Sequence, residues 1–195
     1  MSNSDEQQIA HYNKRFENIN YEDKHLVSRY FDNCTFYKST IKGCLFEDCT
    51  FNNCVFEESD ISLIKFKDTF INNLSLVNCK AIGILWYDAL NPFSIIAKNS
   101  ILSYSSFFGK NLKKIKLINC TAREVDFSEC NMGNADFSGT DFMGSTFSNT
   151  DLRLANFKEA LNYQIDPAGN KIKGAIFQLP AAISFLDSLG IKIVD

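Results

Sequence analysis

Histidine is scarce in this 195-residue chain: there are two, His11 and His25, both near the N-terminus. A glycine-rich phosphate loop, a nucleophile elbow and a His-based metal pair are all missing. Without those signatures the chain is expected to be no enzyme and to hold no metal or cofactor. No apolar run approaches the length of a membrane-spanning helix. The first residues, Met1 to Gln8, lack the basic and apolar regions of a signal peptide, so the expected location is the cytoplasm, with no membrane partner. The seven cysteines make an odd set, a poor disulfide framework that suits buried thiols in a reducing compartment.

The ordinary periodicities are missing too. A strand alternates its faces and a helix places apolar residues three and four apart. Here a large apolar residue recurs at every fifth position: Leu26, Phe31, Phe36, Ile41, Phe46, Phe51, Phe56, Ile61, Phe66, Ile71 and Leu76. The beat returns one residue out of phase, from Leu102 and Phe107 through Phe127, Phe137 and Phe147 to Phe157. Two residues before each beat the chain is small or apolar, and all seven cysteines fall there: Cys34, Cys44, Cys49, Cys54, Cys79, Cys120 and Cys130. Each unit thus turns one large and one small residue inward. Four units close a square, and residues 20 apart lie above one another, as in the column Phe16, Phe36, Phe56 and Leu76. At a strand-like spacing of about 4.8 Å, roughly seven coils give a rod of about 34 Å.

The expected fold is an all-β solenoid, a right-handed quadrilateral β-helix with a short C-terminal helix and strand. Residues 1–15 read as an N-terminal cap, 16–161 as the repeat with an interruption at about 87–101, and 162–195 as a capping or dimerisation segment. The pattern resembles the pentapeptide-repeat family, whose unit is a small residue, a polar residue, Leu or Phe, and two polar residues. The tail from Asn162 to Asp166 and from Gln178 to Ile191 resembles that of the albicidin-resistance branch, and more loosely the quinolone-resistance (Qnr) and microcin-immunity branches. The resemblance implies a homodimer, joined through the C-terminal segment, that binds DNA gyrase or topoisomerase IV as a mimic of duplex DNA.

One slip of phase interrupts the beat. Trp86 and Leu102 are 16 residues apart instead of 15, so one residue is inserted near Asp88 to Ile96, where Pro92 favours a bulge or small loop. Charge is uneven: −3 over 1–86, +4 over 87–122, −4 over 123–161 and zero beyond. Lys98, Lys110, Lys113, Lys114 and Lys116, set against Asp88, are expected to interrupt a negative stripe. Residues 123–161 cover about two coils, or ~10 Å of rod, over which duplex DNA carries roughly six charges. Any mimicry is partial.

Stacking places Asp48, Asp68, Asp88, Gly109 and Glu129 in one outward column, with Glu47 and Asp126 on the same face and Lys65 and Lys67 as compensation. Like charges ~4.8 Å apart repel by roughly 1 kcal/mol even in water, so the column opposes stability. Asp48, Asp68, Asp88, Asp126 and Glu129 are therefore the candidate partner-binding residues. By contrast, Asn33, Asn53 and Asn73 form a neutral column able to hydrogen-bond up the stack. In the tail, Pro180 suits a first helical turn and Gly190 the residue after the last. Ala182, Phe185, Leu186 and Leu189 make an apolar stripe, and Ile191, Ile193 and Val194 read as a strand. Ala182, Phe185, Leu186, Leu189, Ile191 and Ile193 are the candidate dimer contacts. Two functions follow: a non-catalytic gyrase or topoisomerase IV binder that shields the enzyme from inhibitors, or a repeat scaffold for another protein. The Lys-rich middle favours the second reading; the tail resemblance and the acidic column favour the first, which is preferred because tail and rod match together. Direct nucleic-acid binding is disfavoured by the net negative charge.

Overall fold

The computed structural model describes residues 8–183, 185–186 and 190–191. The chain winds as a right-handed β-solenoid. Short parallel strands pair one coil apart, with Phe16 opposite Phe36, Phe36 opposite Phe56, and Phe56 opposite Leu76. Every beat residue from Phe31 to Leu76 is buried, because neighbouring positions of a strand face opposite ways and only the middle one meets the axis. Stacked rings fill the rod: Phe36 lies 4.5 Å from Phe56, and Trp86 lies 5.7 Å from Phe107 with its plane inclined by 8°.

The corners follow from backbone sterics. Two residues after each beat the chain enters the left-handed region, as at Asp48 (φ 51°), Asn53 (52°), Asn134 (58°) and Gly139 (68°). A positive φ at the third residue of a four-residue turn is a type II geometry, which Asn and Gly tolerate best. Matching i to i+3 bonds run from the Ala135 N–H to Met132 and from the Thr140 N–H to Phe137, each 3.1 Å. The expected asparagine column is bonded between Asn73 and Asn53 at 2.8 Å, and Asn33 donates instead to Asn13 in the coil below at 2.5 Å.

Polar occupants of the small inward site satisfy main-chain carbonyls. Thr69 Oγ1 donates at 2.9 Å to both Phe46 and Lys67, one carbonyl in the coil below and one in its own. Cys54 Sγ does the same toward Phe31 and Asn52, at 3.5 and 3.3 Å. Where the site holds Ser, Thr or a protonated thiol the donor is used in this way, whereas Ile64, Leu74, Val125 and Ala135 fill the same site with apolar volume alone. Burial pushes the Cys54 and Cys130 thiols up to about 12 and Cys120 to about 11, which keeps them protonated.

Beyond Ile101 the sides are paired mostly by single bridges, with Lys116–Ile118 the one remaining strand among the described residues. Sequence explains the change. An Asp or Asn precedes many of these beats and takes the N–H of the residue after it: Asp126 from Ser128 at 2.9 Å, Asp136 from Ser138 at 3.2 Å, Asp151 from Arg153 at 3.1 Å. Such local bonds compete with the ladder for the same donor.

The coil path is longer than 16–161. Strand Ile9–Tyr12, inside the stretch read as a cap, pairs in register with Arg29–Asp32, and Lys171 and Ile176 still bridge to Asp151 and Asn156. The periodicity dims at both ends because His11 stands below Phe31, and Asn162 and Pro167 stand five and ten residues after Phe157, where the beat calls for large apolar residues.

The slip of phase is a bulge between strands Phe70–Val77 and Leu90–Lys98. Phe70 pairs with Leu90, Ile71 with Phe93, and Leu74 with Ile95. Two residues, Asn91 and Pro92, are thus added and one is recovered beyond Ile71, giving the net insertion of one. The Asn91–Pro92 bond is cis. Ser94 Oγ closes the gap by accepting the Asn73 N–H at 2.6 Å.

Candidate functional site: an acidic side of the rod

The side built on Phe46, Phe66, Trp86, Phe107 and Phe127 carries the candidate acids. Its strands His25–Val27, Leu45–Glu47 and Lys65–Lys67 pair in register, and the Trp86, Phe107 and Phe127 rings continue the stack at 5.7 and 5.4 Å. Asp48, Asp68 and Glu129 sit at left-handed corners, with φ of 51°, 48° and 59°. Asp88 breaks the corner pattern, because Trp86–Asp88 form a short 3-10 turn. All four are exposed. Asp126 lies at the opposite edge of the same side, half-buried, with one carboxylate oxygen held by the Ser128 N–H.

Among the described residues none of these five carboxylates has an ion-pair partner within 4 Å, whereas Glu47 is bound by Lys67 at 2.7 Å and by His25 at 2.8 Å. Those two partners hold the Glu47 carboxyl below its ordinary range. Asp48 accepts one hydrogen bond, from Ser28 Oγ at 2.8 Å. Position in a turn explains why acids are tolerated here; it does not explain why they stand unpaired above one another.

The basic segment does not cross this side, contrary to the expectation from the charge blocks. Lys98 and Lys116 flank Ala97 and Leu117, on the side that carries Phe16 and Phe36. Lys113 and Lys114 follow Leu112 on the intervening side. Lys110, which lies close enough to Asp88 to feel its charge, is buried at 5% exposure and occupies the small inward site. Its ammonium donates to the Ala89 carbonyl and lies 5.1 Å from the Phe93 ring centre. Burial lowers its pKa. Charges close in sequence are therefore segregated by the corners.

In the tail, Ala181–Ile183 form a 3-10 turn and Phe185 and Leu186 are helical. The Ile183 N–H donates to Pro180 at 2.9 Å. Gly190 takes φ +70° and the Ile191 N–H donates to the Leu186 carbonyl at 3.0 Å, the six-to-one bond that accompanies a left-handed glycine. Phe185 packs edge-on against Phe177 at 4.6 Å and near Tyr163 at 6.1 Å, covering the last coil. Ala182 and Leu186 are half-buried and Ile191 is exposed. Leu189, Ile193 and Val194 lie outside the described residues.

Residues 123–158 match the family model of pentapeptide repeats, with eight copies. Residues 123–158 are thus pentapeptide repeats, and the rod as a whole has the fold of a pentapeptide-repeat β-helix. Among solved structures, a trypsin-treated form of QnrB1, a plasmid-mediated fluoroquinolone resistance protein, aligns over 96% of this chain and 99% of its own, at 19% identity and a TM-score of 0.53. Full-length QnrB1 aligns over 91% of this chain and 100% of its own, at 18% identity and 0.52. HetL, a pentapeptide-repeat protein involved in heterocyst differentiation regulation in the cyanobacterium Nostoc, aligns over 87% of this chain and 83% of its own, at 16% and 0.47. A comparison with curated proteins finds no match.

Surface apolar residues were missed by reading the beat alone. Leu63, Leu85, Tyr87, Tyr104 and Phe108 are 43 to 63% exposed. The signal was available: each is large and apolar at a position where the five-residue lattice points outward.

Proposed function

We propose that this pentapeptide-repeat β-helix is a non-catalytic protein that binds DNA gyrase or topoisomerase IV as a partial mimic of duplex DNA, protecting it from inhibitors. The observation that carries this reading is the unpaired column of Asp48, Asp68, Asp88 and Glu129, with Asp126 across the same side. Carboxylates ~4.8 Å apart cost the free rod stability, so a cationic partner relieves them on binding. Segregation of Lys98, Lys113, Lys114 and Lys116 onto other sides supports it further, because only the buried Lys110 of the basic segment stands near the column. The likeness to QnrB1, a fluoroquinolone resistance protein, agrees with a role of this kind. The protein works in the cytoplasm as a homodimer joined through its C-terminal segment, where Ile191 and the half-buried Ala182, Phe185 and Leu186 are offered at the rod end. By sequence, Leu189 and Ile193, outside the described residues, are assigned to the same proposed contact.

The basic side built on Leu112 and Leu152, with Lys113, Lys114, Arg153, Lys171 and Lys173, favours the second reading, a scaffold for another partner. A supercoiling assay decides between them, with gyrase titrated by the chain in the presence and absence of a quinolone. The proposed function gives inhibition or protection, and Asp48→Asn, Asp68→Asn and Asp126→Asn together weaken it. Asn keeps the acceptor that holds the Ser128 N–H, so the triple variant removes charge and leaves the turn. No effect of the wild-type rod on gyrase moves the assignment to the scaffold.

A further inference from the structure

The acidic side carries a second, chemically different feature. Leu85 and Tyr87 flank the buried Trp86 and point outward, and Phe108 stands one coil above beside Phe107, whose ring stacks on Trp86 at 5.7 Å. At the adjoining corner Leu63 and Tyr104 bracket Gly83. A Cβ at Gly83 would come 2.8 Å from Leu63 Cδ2, so the glycine lets the leucine spread across the corner. The five side chains make one patch that spans about two coils, or ~10 Å of rod.

Three properties separate this patch from scattered surface leucines. First, the rings are idle: among the described residues Tyr87, Tyr104 and Phe108 have no ring contact, although rings inside the rod are stacked throughout. Second, two of its members occupy an unfavourable backbone. Leu63 and Tyr104 both have φ of 61°, where most corners carry Asn, Asp, Glu or Gly. Holding an L residue in that region costs roughly 1–2 kcal/mol, so neither side chain is there for the turn. Third, the patch is framed by carboxylates without ion pairs: Asp68 and Asp88 along one edge, Glu124, Asp126 and Glu129 above. Against these stand Lys65, Lys67 and the buried Lys110 near Asp88; Lys67 is held by Glu47 at 2.7 Å and Lys110 donates to the Ala89 carbonyl.

We infer that Leu63, Leu85, Tyr87, Tyr104 and Phe108 form a docking surface for a cationic, apolar segment of a protein partner. Charge complementarity selects this occupant. A nucleic acid would bring phosphates against the framing carboxylates, and a second copy docked on the same side would set carboxylate against carboxylate. A protein segment with apolar side chains between Lys or Arg residues covers the rings and neutralises the frame, and its cations can also lie over the tyrosine faces. The identity of the probe below rests on the gyrase reading. The aromatic anchors supply affinity, and the acids supply attraction at a distance.

The test uses the full chain and gyrase holoenzyme, with binding measured between low salt and about 0.5 M, where surface charges are largely screened. Tyr87→Ser with Phe108→Ser is compared with Asp68→Asn and Asp88→Asn. All four positions are exposed, so thermal unfolding is expected to match wild type. Loss of two interface aromatics is expected to weaken binding about 10- to 100-fold at every salt concentration, while the Asn pair chiefly flattens the salt dependence. Binding by Tyr87→Ser/Phe108→Ser within twofold of wild type overturns the docking surface and leaves the gyrase reading intact. A wild-type rod that fails to bind gyrase overturns both. If the serine pair instead lowers the molar mass in solution and leaves gyrase binding unchanged, the patch holds a second copy and the inference is wrong.

Discussion

The Lys110 ammonium donates a hydrogen bond to the main-chain carbonyl of Ala89, at the corner where the coil absorbs its extra residues. In other coils of this column the same lattice site is Thr69, Cys130 or Thr150, each bonding a carbonyl one coil below. Ala89 brings no hydroxyl, and the bulge at Asn91 and Pro92 shifts the path, so a longer donor replaces a short one.

Lys110→Thr is therefore expected to be destabilising although Thr is the residue used at equivalent positions. The variant leaves a cavity and an unmatched carbonyl, together costing about 2–4 kcal/mol. The urea midpoint should fall accordingly. An unchanged or raised midpoint would show that a hydroxyl reaches the Ala89 carbonyl after all.

The buried thiols predict a loss of stability in alkali. Their folded pKa values are raised, to about 12 for Cys54 and Cys130 and about 11 for Cys120, against about 8.5 in an unfolded chain. The folded state holds these protons longer, so the stabilisation is complete below about pH 8.5 and is lost as pH rises toward 11 to 12. Lys110 acts in the opposite sense: its folded pKa is lowered, and its contribution improves as pH climbs to the ordinary lysine value. Replacing Cys54, Cys120 and Cys130 by Ser, which already fills this site as Ser39 and Ser59, should flatten the fall of the denaturation midpoint between pH 8.5 and 11. A slope equal to that of wild type would exclude the thiols as its source.

Relieving the left-handed corner at Tyr104 should stabilise the free rod. Tyr104→Asn keeps φ near 61° in a residue that tolerates it, a gain of roughly 1 kcal/mol or about 2–4 °C in the unfolding midpoint. The same change should weaken partner binding. A variant that is both less stable and fully competent in binding would contradict the account of this corner.

Phe185 links the cap to the proposed dimer. Its ring covers Phe177 and Tyr163, so Phe185→Ala should lower stability by about 2–3 kcal/mol. Light scattering or sedimentation at micromolar concentration should show a dimeric wild type and a smaller variant. A wild type that stays monomeric at every concentration would assign the residue to capping alone.

The acid limb offers a contrast with the alkaline one. Burial raises the Asp141 pKa, but hydrogen bonds from Asn162 and Arg123 outweigh it and leave the carboxyl below its ordinary range. Its contribution is present above the unfolded carboxylate value near 3.9 and is lost as pH falls below it. Asp141→Asn should therefore reduce the acid sensitivity of the midpoint while costing stability at neutral pH.

Much of this architecture was legible before any coordinates. The beat from Leu26 to Leu76, the small site that gathers Cys34 to Cys130, and the Asn33, Asn53 and Asn73 column all follow from a register of 20 residues, which the covalent chain carries by itself. The acidic side was legible in part: Asp48 and Asp68 share a column because no insertion separates them. The apolar patch was present as out-of-phase residues but carried no meaning until their side of the square was known.

Sequence alone determined the solenoid and its inward residues, because a five-residue beat that puts large and small side chains on one axis admits one kind of coil. Only the tertiary structure decided where the charges went. The bulge adds two residues and recovers one, and that local accounting turns Lys110 into the core, sends Lys113 and Lys116 around successive corners, and leaves the acids facing solvent beside Tyr87 and Phe108. Periodicity is a property of the chain; the side on which a residue emerges after a bulge depends on which carbonyls and donors find partners there.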